Sequence, residues 1–304
     1  ASAKTIYVPD DYAKIQWAVD NASAGDTIIV RPGTYNENVD VDKSLEIRSY
    51  SQNPSDTIVK ASNSGDHVFQ VTADNVIISG FTVTGATGYL KAGIYLYNSN
   101  NCRIENVNAS NNWFGIYHYS SSNNIIANNT VSSNNDDGIR LYSSSNNNTI
   151  ANNTVSSNND DGILLDYSSN NKIIANNTVS NNDYGISLYY SSNNTIANNT
   201  VSNNYVGISL YYSSNNTIAN NNASSNNIDG ISLHYSSNNA IADNTASNNL
   251  DGIRLYSSSN NNTIANNNAS SNNHNGIRLG YSLSLIHISE PTRPRLISYA
   301  VFCL

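Results

Sequence analysis

Residues 185–230 read GISLYYSSNNTIANNTVSNNYVGISLYYSSNNTIANNNASSNNIDG, and the run that begins at Gly185 begins again at Gly207. In each copy apolar residues fall on every second position, as in Ile186 and Leu188 or Ile208 and Leu210. Period two is the signature of a strand, since successive side chains leave opposite faces. Outward from this stretch, glycines recur at Gly93, Gly115, Gly138, Gly162, Gly185, Gly207, Gly230, Gly252 and Gly276, each followed by Ile. A second column runs from Ile104 and Ile126 to Ile241 and Ile264, and a third from Ala109 and Val131 to Ala246 and Ala269. Three short strands per coil follow.

A coil this short cannot bury its own apolar face, so neighbours must stack, each rung about 4.8 Å above the last. The fold class is all-β: a right-handed parallel β-helix of nine regular coils with a short N-terminal capping α-helix. Leucine-rich repeats of similar length lack these Asn-Asn and Ser-Ser turns, and the GGxGxD run of a calcium-binding nonapeptide helix does not occur. Two residues after each second-column Ile stands Asn106, Asn128, Asn152, Asn176, Asn198, Asn220, Asp243 or Asn266. Asn tolerates the left-handed backbone of tight corners. These same side chains are expected to stack as hydrogen-bonded ladders between coils. Sequons such as those at Asn147 and Asn193 arise automatically from the repeat.

The 304 residues are 38% hydrophobic and only 12% charged, with no Met, which suits one elongated repeat domain with an Ile, Leu, Val and Ala core. A formal net charge of -8 with scattered basic residues excludes a nucleic-acid binder. No apolar run is long enough to span a membrane. The chain starts without Met or a recognisable leader, as a processed protein or a fragment would. Cys102 and Cys303 sit in unlike contexts and imply no disulfide.

Residues 1–90 are less regular and should hold a helix from Asp10 to Asn21, capped by Asp10 or Asp11, that closes the end of the coil stack. Strands are expected at Thr27–Val30, Ser44–Arg48, Thr57–Lys60, His67–Val71 and Val76–Val83. Regular coils occupy 91–282. In 283–304, LSLIHISEPTRPRLISYAVFCL, the repeat stops and the sequence resembles a translated sequencing adapter, a non-native tail. The stretch IYVPDDYAKIQWAVDNASAGDTIIVRPGTYNENVDV, followed by coils of the form GIxLxxSSNNxIxxNxV, resembles the pectin-lyase-like superfamily, and within it NosD-type and archaeal cell-surface β-helix repeat proteins. That resemblance implies the fold. Its members include lyases, hydrolases, epimerases, adhesins and surface-layer components, so it leaves activity open.

Positions two and four after each glycine face outward, giving one column with Tyr95, Tyr117, Arg140, Arg254 and Arg278 and another with Tyr97, Tyr119, Tyr142, Tyr189, Tyr211 and Tyr256. Such rings either stack on sugar faces as a polysaccharide-binding strip or form ladders that stabilise the sheet. Acidic residues gather in three consecutive coils: Asp136 and Asp137, Asp160 and Asp161, then Asp183, with Asp166 and Arg140 nearby. Stacked carboxylates repel, so they call for raised pKa values, for Arg140, or for a hard cation, with calcium the natural choice. The alternative is solvated Asp-Asp-Gly turns, repeated at Asp229 and Asp251 without company. No cofactor is required otherwise. His118 takes a place in the inward Leu column, as a core histidine with a hydrogen-bond partner. NosD-type proteins are associated with copper delivery, but His67, His118, His234 and His274 are scattered, against a soft-metal site.

These readings point to a secreted, periplasmic or cell-surface protein that acts without catalysis as a structural scaffold, as a binder of extracellular glycans or other surface proteins, or as both. The even coils favour this over a calcium-dependent polysaccharide lyase or hydrolase working through Asp137, Asp161 and Arg140, and over a periplasmic copper-accessory protein. One interruption, Gly85 to Ala92 with Tyr89 and Lys91, is placed to overhang the sheet.

Overall fold

A computed structural model describes residues 2–168, 170, 172–280 and the backbone of 285–289. Cys303 and the adapter-like tail apart from 285–289 lie outside the described residues. The chain winds through three parallel sheets of thirteen, eleven and eight strands. The first carries the second-column isoleucines, the second the glycine strands and the third the Ala/Val column. Register is one-to-one from rung to rung: Ile186 pairs with Ile208 and Leu188 with Leu210, Ile196 with Ile218, and Val179 with Val201. All three columns point into the lumen, where these side chains are 0–1% exposed. A continuous apolar core therefore runs the length of the stack.

Where Val gives way to Ala at 223 and 246, the third sheet thins to isolated bridges, Thr200 to Asn222 to Thr245 to Asn268. A last strand, Leu285–Ser289, adds to the first sheet beside Asn262–Ala265 after a register shift at Asn262/Thr263. Its alternating apolar pattern suffices for that, because an open sheet end accepts any extended segment with unpaired N–H and C=O groups.

The glycine column is dictated by space. A Cβ on Gly185 would stand 2.3 Å from Val201 Cγ1 and 2.6 Å from the Gly207 carbonyl oxygen, inside van der Waals contact. The glycine lets the second sheet close onto the third.

The corners correct the sequence reading. Asn198 does take a left-handed backbone, at φ 57°, as do its equivalents from Asn106 to Asn266, but its side chain is exposed. The ladder belongs to the next residue. Asn199, 1% exposed, donates from Nδ2 to the Asn221 Oδ1 at 3.0 Å and the Ile174 carbonyl at 2.9 Å. Its own Oδ1 accepts from the Asn177 backbone N–H and Nδ2. This ladder runs from Asn129 to Asn267, and a second from Asn112 to Asn272. Turning the chain needs a permissive backbone, whereas satisfying the buried corner needs an amide aimed inward. One residue cannot do both, which is why the sequence carries Asn in pairs. A third ladder, from Asn124 to Asn262, holds Lys172 in place of an Asn.

At the N-terminus the helix is shorter than expected, Ile15–Asn21. Neither Asp10 nor Asp11 caps it: Asp10 pairs with Arg31 and Asp11 accepts the Tyr7 N–H. The cap comes from a distant residue, Glu37, whose carboxylate accepts the N–H groups of Ile15 and Gln16 at 3.0 Å each. A carboxylate there also meets the positive end of the helix dipole. Ile15, Ala18 and Val19 bury against the first coil. The segment expected as one strand at Val76–Val83 is two, Ile77–Ser79 and Thr82–Thr84, parted at Gly80 with φ 81°. Three further strands, Thr5–Val8, Gly33–Asn36 and Val39–Val41, extend the coils back to the start.

Candidate functional site

The acidic residues enter the glycine-bearing sheet through the turns that precede Gly138 and Gly162. Carboxylate oxygens of Asp136, Asp137 and Asp160 lie within 4.8 Å of one another, and the three can hold a metal ion. Asp137 is buried and Asp160 exposed, so the group opens to solvent on one side. Asp161 turns away beneath it, accepting a 2.6 Å hydrogen bond from Ser187 Oγ. Asp183 stands one rung further on, its backbone N–H bound to the Asp160 carbonyl. Of the five aspartates expected to share a metal, the structure gathers three.

Arg140 is not free for chemistry: it is tied to Asp137 at 3.4 Å and to Asp166. Burial, helped by the charges of Asp136 and Asp160 against the pull of Arg140, pushes the Asp137 carboxyl up to about 7. Burial and then Asp137 raise Asp161 well above the carboxylate range, and Asp160 is raised by its partial burial and by Asp136 and Asp183. Clustered acids with elevated pKa values are what a bound hard cation would relieve.

The interruption at 85–91 reaches this group. Tyr89, 72% exposed, packs edge-on against Trp113 with centroids 5.1 Å apart, and the Trp113 indole N–H donates to Asp136 at 2.9 Å. Trp113 escaped the sequence reading. It occupies the position that holds Asp136 one coil later, a departure from the repeat that comparing coils column by column would have exposed.

Asp229 and Asp251 were expected as solvated turns without company, and the structure corrects this. They are 2% and 1% exposed and pair with Arg254 at 3.7 Å and Arg278 at 3.2 Å, each one coil on. A turn aspartate buries here because the outward Arg of the next rung folds back over it.

The outward tyrosines form a rail. Tyr97, Tyr119 and Tyr142 follow one another at 5.4–5.5 Å between centroids, and Tyr189 and Tyr211 at 5.5 Å with planes 10° apart. His234 continues the column to Tyr256 at 4.1 Å. A second column was missed: Tyr167, Tyr190, Tyr212 and Tyr235 stack at 4.7–4.9 Å with planes within 10°. Its signal is the Tyr-Tyr doublet at 189/190 and 211/212, whose second member takes the left-handed turn position, φ 46° at Tyr190. Parallel rings touch at about 3.5–4 Å, so centroids 5.5 Å apart must also be slipped sideways. Part of each face stays uncovered, and Tyr189 and Tyr190 remain 38% and 39% exposed.

The histidines do not gather. His67 accepts the Ala92 N–H at 3.0 Å through Nδ1 and stacks on Tyr95. His118 is fully buried, but the expected hydrogen-bond partner is missing: neither ring nitrogen finds one among the described residues. Burial alone pushes its pKa down to about 3. Cys102 is buried, its thiol pushed up to about 11 by burial. The metal-capable group found among the described residues offers carboxylates only, the donors that hard cations prefer.

Comparison with known proteins agrees with this architecture. A family described as "Right handed beta helix region" matches residues 148–290. A cell surface glycoprotein of Methanothermus fervidus is 35% identical over 121 residues, 39% of this chain, which spans about a fifth (19%) of that relative's length. Among solved structures, the A-module of the mannuronan C-5 epimerase AlgE4 from Azotobacter vinelandii superposes with TM-score 0.70 at 16% identity, covering 97% of this chain and 100% of that one. The Dettilon tailspike protein superposes at 0.72 and 17% identity, covering 90% and 68%. Pectate lyase Pel9A does so at 0.57 and 17%, covering 94% and 77%. The family described as "Periplasmic copper-binding protein (NosD)" matches residues 19–186, more than half of the chain, so the chain belongs to the NosD family.

Proposed function

We propose that this chain is a rigid segment of a secreted or cell-surface protein that binds extracellular polysaccharide along its tyrosine rail without cutting it. The rail carries the reading: two adjoining columns of slipped rings, Tyr189/Tyr211 and Tyr190/Tyr212/Tyr235, partly exposed on a scaffold held by Asn ladders. Aromatic faces pack on sugar rings, and the phenol hydroxyls supply hydrogen bonds at the polar edge. Likeness to a cell surface glycoprotein supports the location, and the epimerase and pectate lyase neighbours, whose names are those of polysaccharide-acting enzymes, support the ligand class.

Two observations weigh against catalysis. Arg140, a candidate catalytic residue, is engaged by two carboxylates. The two depressions at Arg254–Gly280 and at Lys14–Ser62 are not lined by Asp136, Asp137 or Asp160. The test is a glycan array probed with the whole chain, alongside an assay for new reducing ends and unsaturated products. Binding without cleavage, lost in Tyr189→Ser/Tyr211→Ser, is the expected result; no binding, or binding that ignores the rail, refutes it.

The grouping of Asp136, Asp137 and Asp160 favours a second reading, a calcium-dependent lyase or hydrolase acting there. Calcium-dependent cleavage abolished in both Asp137→Ala and Asp161→Ala would establish it over the first.

A further inference from the structure

We propose that Tyr190, Tyr212 and Tyr235 form an oxidative coupling site, where a peroxide-driven one-electron oxidant joins neighbouring rings into a dityrosine staple between coils. Such a site needs no bound sugar and stands apart from the glycan reading. The three tyrosines occupy the fifth position after the glycine, in the left-handed region at φ 46°, 48° and 49°, a conformation that is costly for a bulky side chain. Other coils fill that position with Asn98, Ser120, Ser143 and Ser257, residue types that tolerate a tight turn better. Three successive coils accept the strain instead, and what it brings them is a row of rings. Strain kept in this way points to a use for the groups it positions.

The row holds its members as reacting partners. The Tyr190 N–H donates to the Tyr211 carbonyl at 3.0 Å and the Tyr212 N–H to the His234 carbonyl at 3.1 Å, so neighbouring backbones cannot drift apart. Ring centroids are 4.8 Å apart for Tyr190 and Tyr212, with planes at 10°, and 4.7 Å apart for Tyr212 and Tyr235, with planes at 7°. Rings related by a near-translation keep equivalent carbons at that same separation, so the carbons ortho to each hydroxyl lie beside their counterparts one coil on. Groups held together like this react as if at very high local concentration. All three rings are exposed, which admits an oxidant and leaves room for the tilt that bond formation requires.

Composition directs the oxidation to phenols. Sulfur side chains are common targets of oxidants, but the chain has 21 Tyr and no Met, and Cys102, the cysteine among the described residues, is buried. In the coupling, each of two phenols gives up one electron and one proton to become a phenoxyl radical. The radicals join carbon to carbon at the ortho positions, and the hydrogens on those two carbons pass to the two oxygens as the rings regain aromaticity. Hydrogen peroxide, the oxidant, takes up the two electrons and two protons and leaves as two waters. Tyr212 is shared, so the staple forms either from Tyr190 to Tyr212 or from Tyr212 to Tyr235.

The full chain would be treated with a haem peroxidase and hydrogen peroxide and followed by dityrosine fluorescence, intact mass and mapping of linked peptides. The expected product is a monomer lighter by two hydrogens per staple, linked at these tyrosines, in a yield independent of protein concentration. Tyr212→Phe keeps a stacked ring but removes the shared phenol, and should lower total dityrosine by about tenfold or more, since the advantage of a held neighbour far exceeds that. The double variant Tyr190→Phe/Tyr235→Phe should lose it likewise. Tyr205→Phe removes an equally exposed phenol outside the row and should leave the yield unchanged. No dityrosine, linked dimers only, links mapped to other tyrosines in place of these, or a yield undiminished in Tyr212→Phe overturns the inference.

Discussion

Replacing His118 by Leu should stabilise the protein, and increasingly so as the pH falls. Its Cα partners in the inward column are Leu96 on one side and Leu141 on the other, so a Leu of similar bulk completes an apolar column. At neutral pH the gain is the cost of two imidazole nitrogens buried without partners, about 1–3 kcal/mol. The pH dependence follows from linkage. Burial lowers the folded pKa to about 3 from an ordinary 6.5, so between these values the unfolded chain holds a proton that the folded chain refuses. Wild-type stability from this residue is complete above pH 6.5 and drains away as pH falls to 3; a gap of that size corresponds to about 5 kcal/mol. Denaturant melts of both proteins across this range, with hydrogen exchange of the 114–119 strand as a local probe since a stacked-coil protein can unfold piecemeal, would measure it. A variant less stable at pH 7.5, or a stability difference that stays flat between pH 6.5 and 4, would refute the reasoning.

Three other substitutions probe the remaining features. Asn199→Ala strips both the Nδ2 donors and the Oδ1 acceptor from a buried corner and should cost about 3 kcal/mol or more. Asn198→Gly, beside it but exposed and needed only for its left-handed backbone, should stay within about 0.5 kcal/mol in the same melts. Lys172→Asn restores the third ladder and should raise the melting temperature; it should also abolish a loss of stability as pH drops from 10.5 to about 7, since burial lowers the Lys172 pKa to about 7 and only the unfolded chain is protonated between them. Asp137, raised to about 7, has the opposite sign: its contribution is full below pH 4 and is lost as pH rises to 7. Millimolar calcium should restore stability above pH 7 in the wild type and not in Asp137→Asn, as read from thermal melts with and without chelator.

How much of this was legible beforehand depends on how each feature is encoded. Ile186, Leu188 and the glycine period specify strands, register and stacking by themselves, because period two and a fixed repeat leave a coil no other way to bury its apolar face. The Asn pair reveals that a corner exists but not which member turns and which ladders, since identical side chains differ only in the direction their backbone gives them. The site residues were visible as types and spacings. Only the three-dimensional arrangement decided that Asp136, Asp137 and Asp160 converge while Asp161 turns under to Ser187. It likewise placed Trp113 against Asp136, drew Glu37 to the helix end, and let Arg254 and Arg278 cover aspartates one coil back. These contacts join residues about one coil apart. The repeat determines that neighbouring coils touch, but how a long side chain folds back across a rung depends on the space left beside it, which exists only once the coils are stacked.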